Sequence, residues 1–241
     1  MIINPYRFAG ADVPTFGSWS RQFDGNDDMV HMGDVDGSVW QGANAQFSGA
    51  CWIKPTTIGG NAIIMGKARV ANAQYEWALE RIGRTVRFLW AGALNASTYW
   101  GEVTGNVLTA NVWTHVGFSY DGTQALADRI KIYIDGSLAT FSDLSAGTPS
   151  EIQNSTQPLA IGGTYLTDTT VDFEFTGYIA DVRIYDEVVS ATEFANLDAG
   201  TDYQTNLWGW WFTDNDDVDD YGSGGNNGTN LNSTYSTDSP F

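Results

Sequence analysis

The stretch Phe175 to Leu197, FTGYIADVRIYDEVVSATEFANL, decides the fold. Ile179, Val182, Ile184 and Tyr185 make its first half apolar enough for a buried strand. Ser190 stands three residues before Glu193, the capping-box spacing that starts a helix, so a short helix is predicted over residues 190–197. Strand, turn and short helix form one unit.

Outward from this unit, short runs with period-two alternation recur, separated by Gly, Asn and Asp. Strands are predicted at 18–23, 29–32, 47–54, 62–68, 75–82, 85–90, 113–120, 129–134, 137–141, 159–162, 175–185 and 207–212. Asp135-Gly136 between alternating runs suits a type I′ hairpin, whose two central residues need positive φ. Gly83 marks a second reversal. The prediction is an all-β, antiparallel two-sheet sandwich of jelly-roll type.

Several blocks, in order, carry a resemblance to a known family. Gly177, Ile179, Asp181, Val182, Arg183, Ile184 and Tyr185, then Ser190 and Glu193, match a closing pattern G-x-I-D-D-V-R-I-Y with L-S-x-x-E. Phe23-Asp24-Gly25-Asn26-Asp27-Asp28 matches an opening F-D-G-x-D-D. Trp113, His115, Val116, Tyr120, Asp121 and Gly122 match W-H-H-V-x-x-x-Y-D-G. The chain resembles the concanavalin A-like lectin/glucanase superfamily, in its laminin-G-like form, over about residues 18–200. The resemblance implies a lectin-type sandwich and places one domain at 18–241, with 206–230 as a closing segment and 1–17 as an extended arm.

The closing segment is out of order. Asp220, Tyr221, Gly225, Asn226, Asn227, Gly228 and Thr229 resemble a block that opens many relatives. A circularly permuted sandwich accounts for this, because termini that lie close together tolerate permutation. The alternative is the start of a second copy, which could not bury its own apolar face.

A net charge of -18 from 29 acidic and 11 basic residues argues against nucleic acid, whose phosphates require clustered Lys and Arg. The lone Cys51 permits no internal disulfide and reads as a core residue. No apolar run approaches membrane-spanning length, and the first residues lack the continuous apolar region of an export signal. Ile2, Ile3, Tyr6, Phe8 and Phe16 make the arm too apolar for a solvated tail, so a protein partner such as a capsid or tail protein is expected there. Together these features lead to the expectation of a virion surface protein.

Retaining glycoside hydrolysis needs two carboxyl groups about 5–5.5 Å apart, as E-x-D-x-x-E provides on a strand, and that motif is absent. Glu76 with Glu80, and Asp172 with Glu174, have suitable spacings but read as solvated strand faces. His31 and His115 are the two histidines, with no nucleophile elbow and no transition-metal spacing. Calcium takes oxygen ligands gathered from distant loops. The resemblance places acidic family positions at Asp28, Asp181 and Asp220, and with Asp219 these are the expected ligands of a structural Ca2+.

Sugars stack their C–H faces on aromatic rings while polar neighbours fix their hydroxyls. The segment WAGALNASTYWGE reads as a loop carrying Trp90, Asn95, Tyr99 and Trp100, and Tyr165 lies in a second loop. These five are the expected glycan contacts of a non-catalytic carbohydrate-binding or adhesion module. A purely structural decoration protein and a glycoside hydrolase are the competing readings.

Overall fold

The computed structural model describes residues 19–35, 40–69, 74–93, 97–143, 147–167, 170–212 and 218–241. Among these, two antiparallel sheets face each other. The smaller runs β10 (Ser137–Leu138), β9 (Ile130–Ile134), β8 (Thr114–Asp121), β3 (Gln46–Pro55), β15 (Thr176–Tyr185), β1 (Ser20–Asp24) and β18 (Thr234–Ser236), with β16 (Leu207–Trp211) also on β15. The larger runs β11 (Phe141–Asp143), β7 (Ser97–Val103), β6 (Thr85–Ala93), β5 (Gln74–Ile82), β4 (Asn61–Arg69), β12 (Leu159–Ile161), β2 (Met29–His31) and β17 (Thr229–Leu231). A hairpin of β13 (Thr164–Thr167) and β14 (Thr170–Asp172) joins it at β4.

The core lies between the central strands. Phe47 of β3, Trp77 of β5, Phe88 of β6 and Phe118 of β8 are all fully buried, with the Phe88 and Phe118 rings 4.4 Å apart. Each such side chain contributes about 1.5–3 kcal/mol by leaving water. Cys51 is buried in β3 as the sequence indicates, and His115 is buried in β8.

β8 is buried on both faces because the helix α1 (Ala191–Asp198) covers its outer side. Phe194 of α1 stacks on Tyr133 at 4.1 Å and presses on Gly117, where a Cβ would stand 2.4 Å from the Phe194 ring. The helix starts as its capping box requires, with Glu193 N–H donating to Ser190 Oγ at 3.3 Å. Asp135 and Gly136, at φ 47° and 68°, form the expected primed turn between β9 and β10.

The closing segment belongs to this sandwich and not to a second copy. β16 pairs with β15, β17 with β2 and β18 with β1, so the tail adds strands to both sheets beside the chain's first two strands. Arg21 donates to Ser233 Oγ at 3.0 Å, and Asp238 takes Lys54 Nζ at 2.6 Å and the Trp113 indole at 3.0 Å. No helix among the described residues is long and apolar enough to cross a membrane.

Candidate functional site

The outer face of the larger sheet carries an aromatic-lined groove of about 290 Å³. Its floor is set by cross-strand registry. The Ile82–Thr85 closing pair of the β5–β6 hairpin brings Glu80 opposite Arg87 and Ala78 opposite Leu89, and β7 continues these rows with Glu102 and Trp100. Ile63, Ala68, Ala78 and Leu89 form a small buried cluster beneath the groove. Tyr75, Trp100 and Phe173, each half-buried, pack against that cluster and stand as its walls.

Polar groups border the rings. Arg87 Nε and Nη2 both donate to Glu80 Oε2, at 2.8 and 2.6 Å, and the guanidinium carbon lies 6.0 Å from the Trp100 ring. Burial pushes the Glu80 carboxyl above the usual carboxylate range, against the pull of Arg87. The Tyr75 phenol is raised by burial and then by the Glu80 charge, so it remains a protonated hydroxyl able to donate. Asn61 adds an exposed amide at one rim. Phe173 is held at φ 52°, a conformation costly for a bulky residue, while its carbonyl accepts from Ile63 N–H at 2.8 Å. Strained backbone of this kind clusters at ligand sites.

Of the four expected glycan residues that are described, Trp100 lines this groove. Trp90 and Tyr99 are core residues, at 0% and 2% exposure, packed on each other at 4.4 Å, so neither can stack on a sugar. The reason is that 90–93 and 97–102 belong to the paired strands β6 and β7, in which neighbouring residues point to opposite faces. Asn95 lies outside the described residues. Tyr165 is half-buried against the His31 ring at 5.8 Å and does not line the groove.

The expected calcium ligands are not gathered either. Among the described residues the one set of three carboxylates with oxygens within 4.8 Å of one another is Asp24, Asp27 and Asp28, without Asp181, Asp219 or Asp220. Asp181 is buried and accepts from Arg183 Nε at 2.9 Å and from the Trp210 indole at 2.6 Å. Asp220 takes the backbone N–H groups of Trp210, Gly222 and Asn226 at 2.7–2.9 Å, ordering its own loop. Asp28 is held above its ordinary value by burial first and by Asp24 and Asp27 after it. Those three, at the end of β1 and on the turn after it, are the residues among those described that fit a hard cation.

Nor are Glu76 and Glu80 a solvated face. Glu76 is fully buried, accepting from Ser155 N–H at 2.6 Å and from the Trp40 indole at 3.0 Å, and pairing with Lys67 at 3.0 Å. A larger cleft, about 410 Å³ between Gln41, Gln46 and Glu187, has no aromatic lining and so no stacking platform. Tyr75, Arg87 and Phe173 escaped the sequence reading, although counting back from the Gly83 turn already places residue 80 opposite 87.

Sheet order, the covering helix and the groove face define a lectin-type jelly-roll sandwich. The chain belongs to the Laminin_G_3 family of the concanavalin A-like lectin/glucanases superfamily, whose model matches residues 24–195. No curated protein matches it. Among solved structures it is similar to a candidate carbohydrate binding protein from Bacteroides ovatus ATCC 8483, at 18% identity and TM-score 0.66 over 92% of this chain. The match covers 60% of that protein's length. It is also similar to the CBM40 of Ruminococcus gnavus IT-sialidase bound to α2,3 sialyllactose, at 16% identity and TM-score 0.55, covering 79% of this chain and 100% of that one. A SAP-like pentraxin from Limulus polyphemus gives 13% identity and TM-score 0.54, covering 78% of this chain and 84% of that one.

Proposed function

We propose that this chain is a non-catalytic carbohydrate-binding module whose glycan seat is the groove on the outer face of the larger sheet. The observation that carries the reading is the trio Tyr75, Trp100 and Phe173, half-buried around an apolar floor with the Glu80–Arg87 pair at its edge. Such rings offer flat faces to sugar C–H groups, and the bordering amide, hydroxyl and carboxylate fix hydroxyls. That similar sandwiches include a carbohydrate-binding module with a bound sialylated sugar supports the same use here.

A hydrolase reading is disfavoured by the state of the carboxylates. Glu76 is enclosed by Lys67, Trp40 and Ser155, and Glu80 is held by Arg87. Asp24, Asp27 and Asp28 are the residues that would hold a structural calcium. Display on a virion, attached through residues 1–17, is a setting that fits the apolar side chains of that arm.

The test is a glycan array followed by titration of the best hit with wild type and Trp100→Ala. Binding should be present in wild type and weakened at least about tenfold in the variant, as expected for loss of a stacking ring. Binding that survives the substitution unchanged, or turnover of a polysaccharide, would displace the reading.

A further inference from the structure

We infer that the groove selects neutral glycans and turns away sialylated, sulfated and uronate-bearing ones, an inference that rests on the groove being the glycan seat. Recognition of an anionic sugar needs a cation or a nest of N–H donors left over for it. Among the described side chains lining the groove, Arg87 is the one cation, and its Nε and Nη2 are both spent on Glu80.

The surroundings add negative charge. Glu102 is the cross-strand partner of Arg87 on β7, so Arg87 has an acidic residue on each side in a single cross-strand row. Asp172 precedes Phe173 in the wall and adds to the field felt by Tyr75. Two neighbouring cations among the described side chains are engaged elsewhere. Lys67 is fully buried on Glu76 and Asp34, and Arg81 donates to the carbonyls of Gly59, Gly60 and Gly83.

A carboxylate or sulfate entering this groove would meet like charge, and the one cation lining it is already paired with a carboxylate, so the neutral amide and hydroxyl donors there would have to repay its lost hydration against that field, which is how an interface rejects a wrong partner. A neutral sugar meets none of that cost. Its apolar face lies on Trp100, Tyr75 or Phe173, and its hydroxyls can donate to the acidic rim.

An array holding neutral, sialylated, sulfated and uronate-bearing oligosaccharides tests this on the full chain. The hits should be neutral. The affinity of the best one should change by less than about twofold between low and high salt, because no charge pair forms on binding. Glu102→Lys, which places a cation beside the groove, should bring acidic analogues of that hit into the bound set. Acidic glycans dominating the wild-type hits, or an affinity falling about tenfold with salt, would overturn the inference while leaving the groove in place. An array with no hits, or hits indifferent to Trp100→Ala, would remove the groove reading and this inference with it.

Discussion

Asp181 and Trp210 are joined by a 2.6 Å hydrogen bond from the indole N–H to Oδ1, the same oxygen that takes Arg183 Nε at 2.9 Å. The bond sits where β15 changes partners: residues 176–179 pair with β1, and 182–185 with β16. Asp181, at φ 49°, is the irregular residue between the two registers. Arg183 completes the junction by lying 4.3 Å over the Trp210 ring while pairing with Asp202 at 2.6 Å. β1 and β16 thus share one side of β15, and a buried charge and an indole tie β16 to the point where they meet.

Asp181→Ala should therefore destabilise the fold by about 3–5 kcal/mol, the cost of removing one partner of a buried pair. Asp181→Asn keeps an acceptor for the indole and should lose less. Urea unfolding of the three proteins measures this. A chelator should act alike on wild type and Asp181→Ala, and if it destabilised the wild type alone, Asp181 would return as a metal ligand.

His115 gives the chain a pH dependence of known sign. It is buried in β8 beside the Trp52 ring at 5.2 Å, and burial, with repulsion from Arg183, lowers its pKa to about 3. Between that value and the ordinary 6.5, the unfolded chain binds a proton that the folded chain does not. Stability conferred by a neutral His115 is thus complete above pH about 6.5 and is lost as pH falls, by up to about 1.4 kcal/mol per unit. In His115→Gln this slope should vanish. The stability difference between variant and wild type, followed from pH 7 to about 4, isolates it from the carboxylates. A pH-independent difference would contradict the assignment.

Local chemistry made much of the fold legible. The Ser190–Glu193 spacing and the Asp135-Gly136 turn act through contacts a few residues apart, and both elements form as read. Residues 90–93 and 97–102 read as loop because Gly92 and its small neighbours have loop composition, whereas packing makes them strand: Gly92 lies against Pro149, where a Cβ would stand 2.6 Å from that ring. Strict alternation would have separated Tyr99 from Trp100, since adjacent strand residues cannot both face solvent. The site itself is dispersed. Tyr75, Trp100 and Phe173 meet only through sheet registry and the β14–β15 connection, which no local pattern encodes. Asp181 and Asp220 are acidic positions whose oxygens accept from an indole and from backbone N–H groups, contacts that only the tertiary fold supplies.

Calcium, if it binds, should do so at Asp24, Asp27 and Asp28, where carboxylate oxygens come within 4.8 Å of one another. An ion bound to the folded state alone adds about 2.7 kcal/mol at a hundredfold excess over Kd. The melting temperature should then rise with added calcium and fall with chelator, and Asp28→Asn should abolish both responses. A wild-type melting curve indifferent to calcium would leave the three carboxylates a solvated turn, with Asp28 serving only to accept from Asp24 N–H at 2.5 Å.

The Glu80–Arg87 pair should respond unequally to losing either member. Arg87 is partly open to water and has Glu102 opposite it, so Glu80→Gln leaves the guanidinium with solvent and a second carboxylate, at a cost of about 1 kcal/mol. Removing the arginine strands a carboxyl that is only 4% exposed and already raised by burial, and Arg87→Met should cost about 3 kcal/mol near neutrality. The pH dependence follows from the direction of the shift. A carboxyl whose folded pKa lies above its unfolded value binds its proton more tightly when folded, so stability is highest below the unfolded pKa and declines as pH rises through the folded one. Arg87→Met enlarges that upward shift, and its penalty should be smaller at pH about 4 than at pH 7, because protonation neutralises the stranded group. Thermal unfolding of wild type and both variants at the two pH values provides the comparison. Equal costs for the two substitutions, or an Arg87→Met penalty unchanged on acidification, would show that the pair is held by the open rim and not by the buried carboxyl.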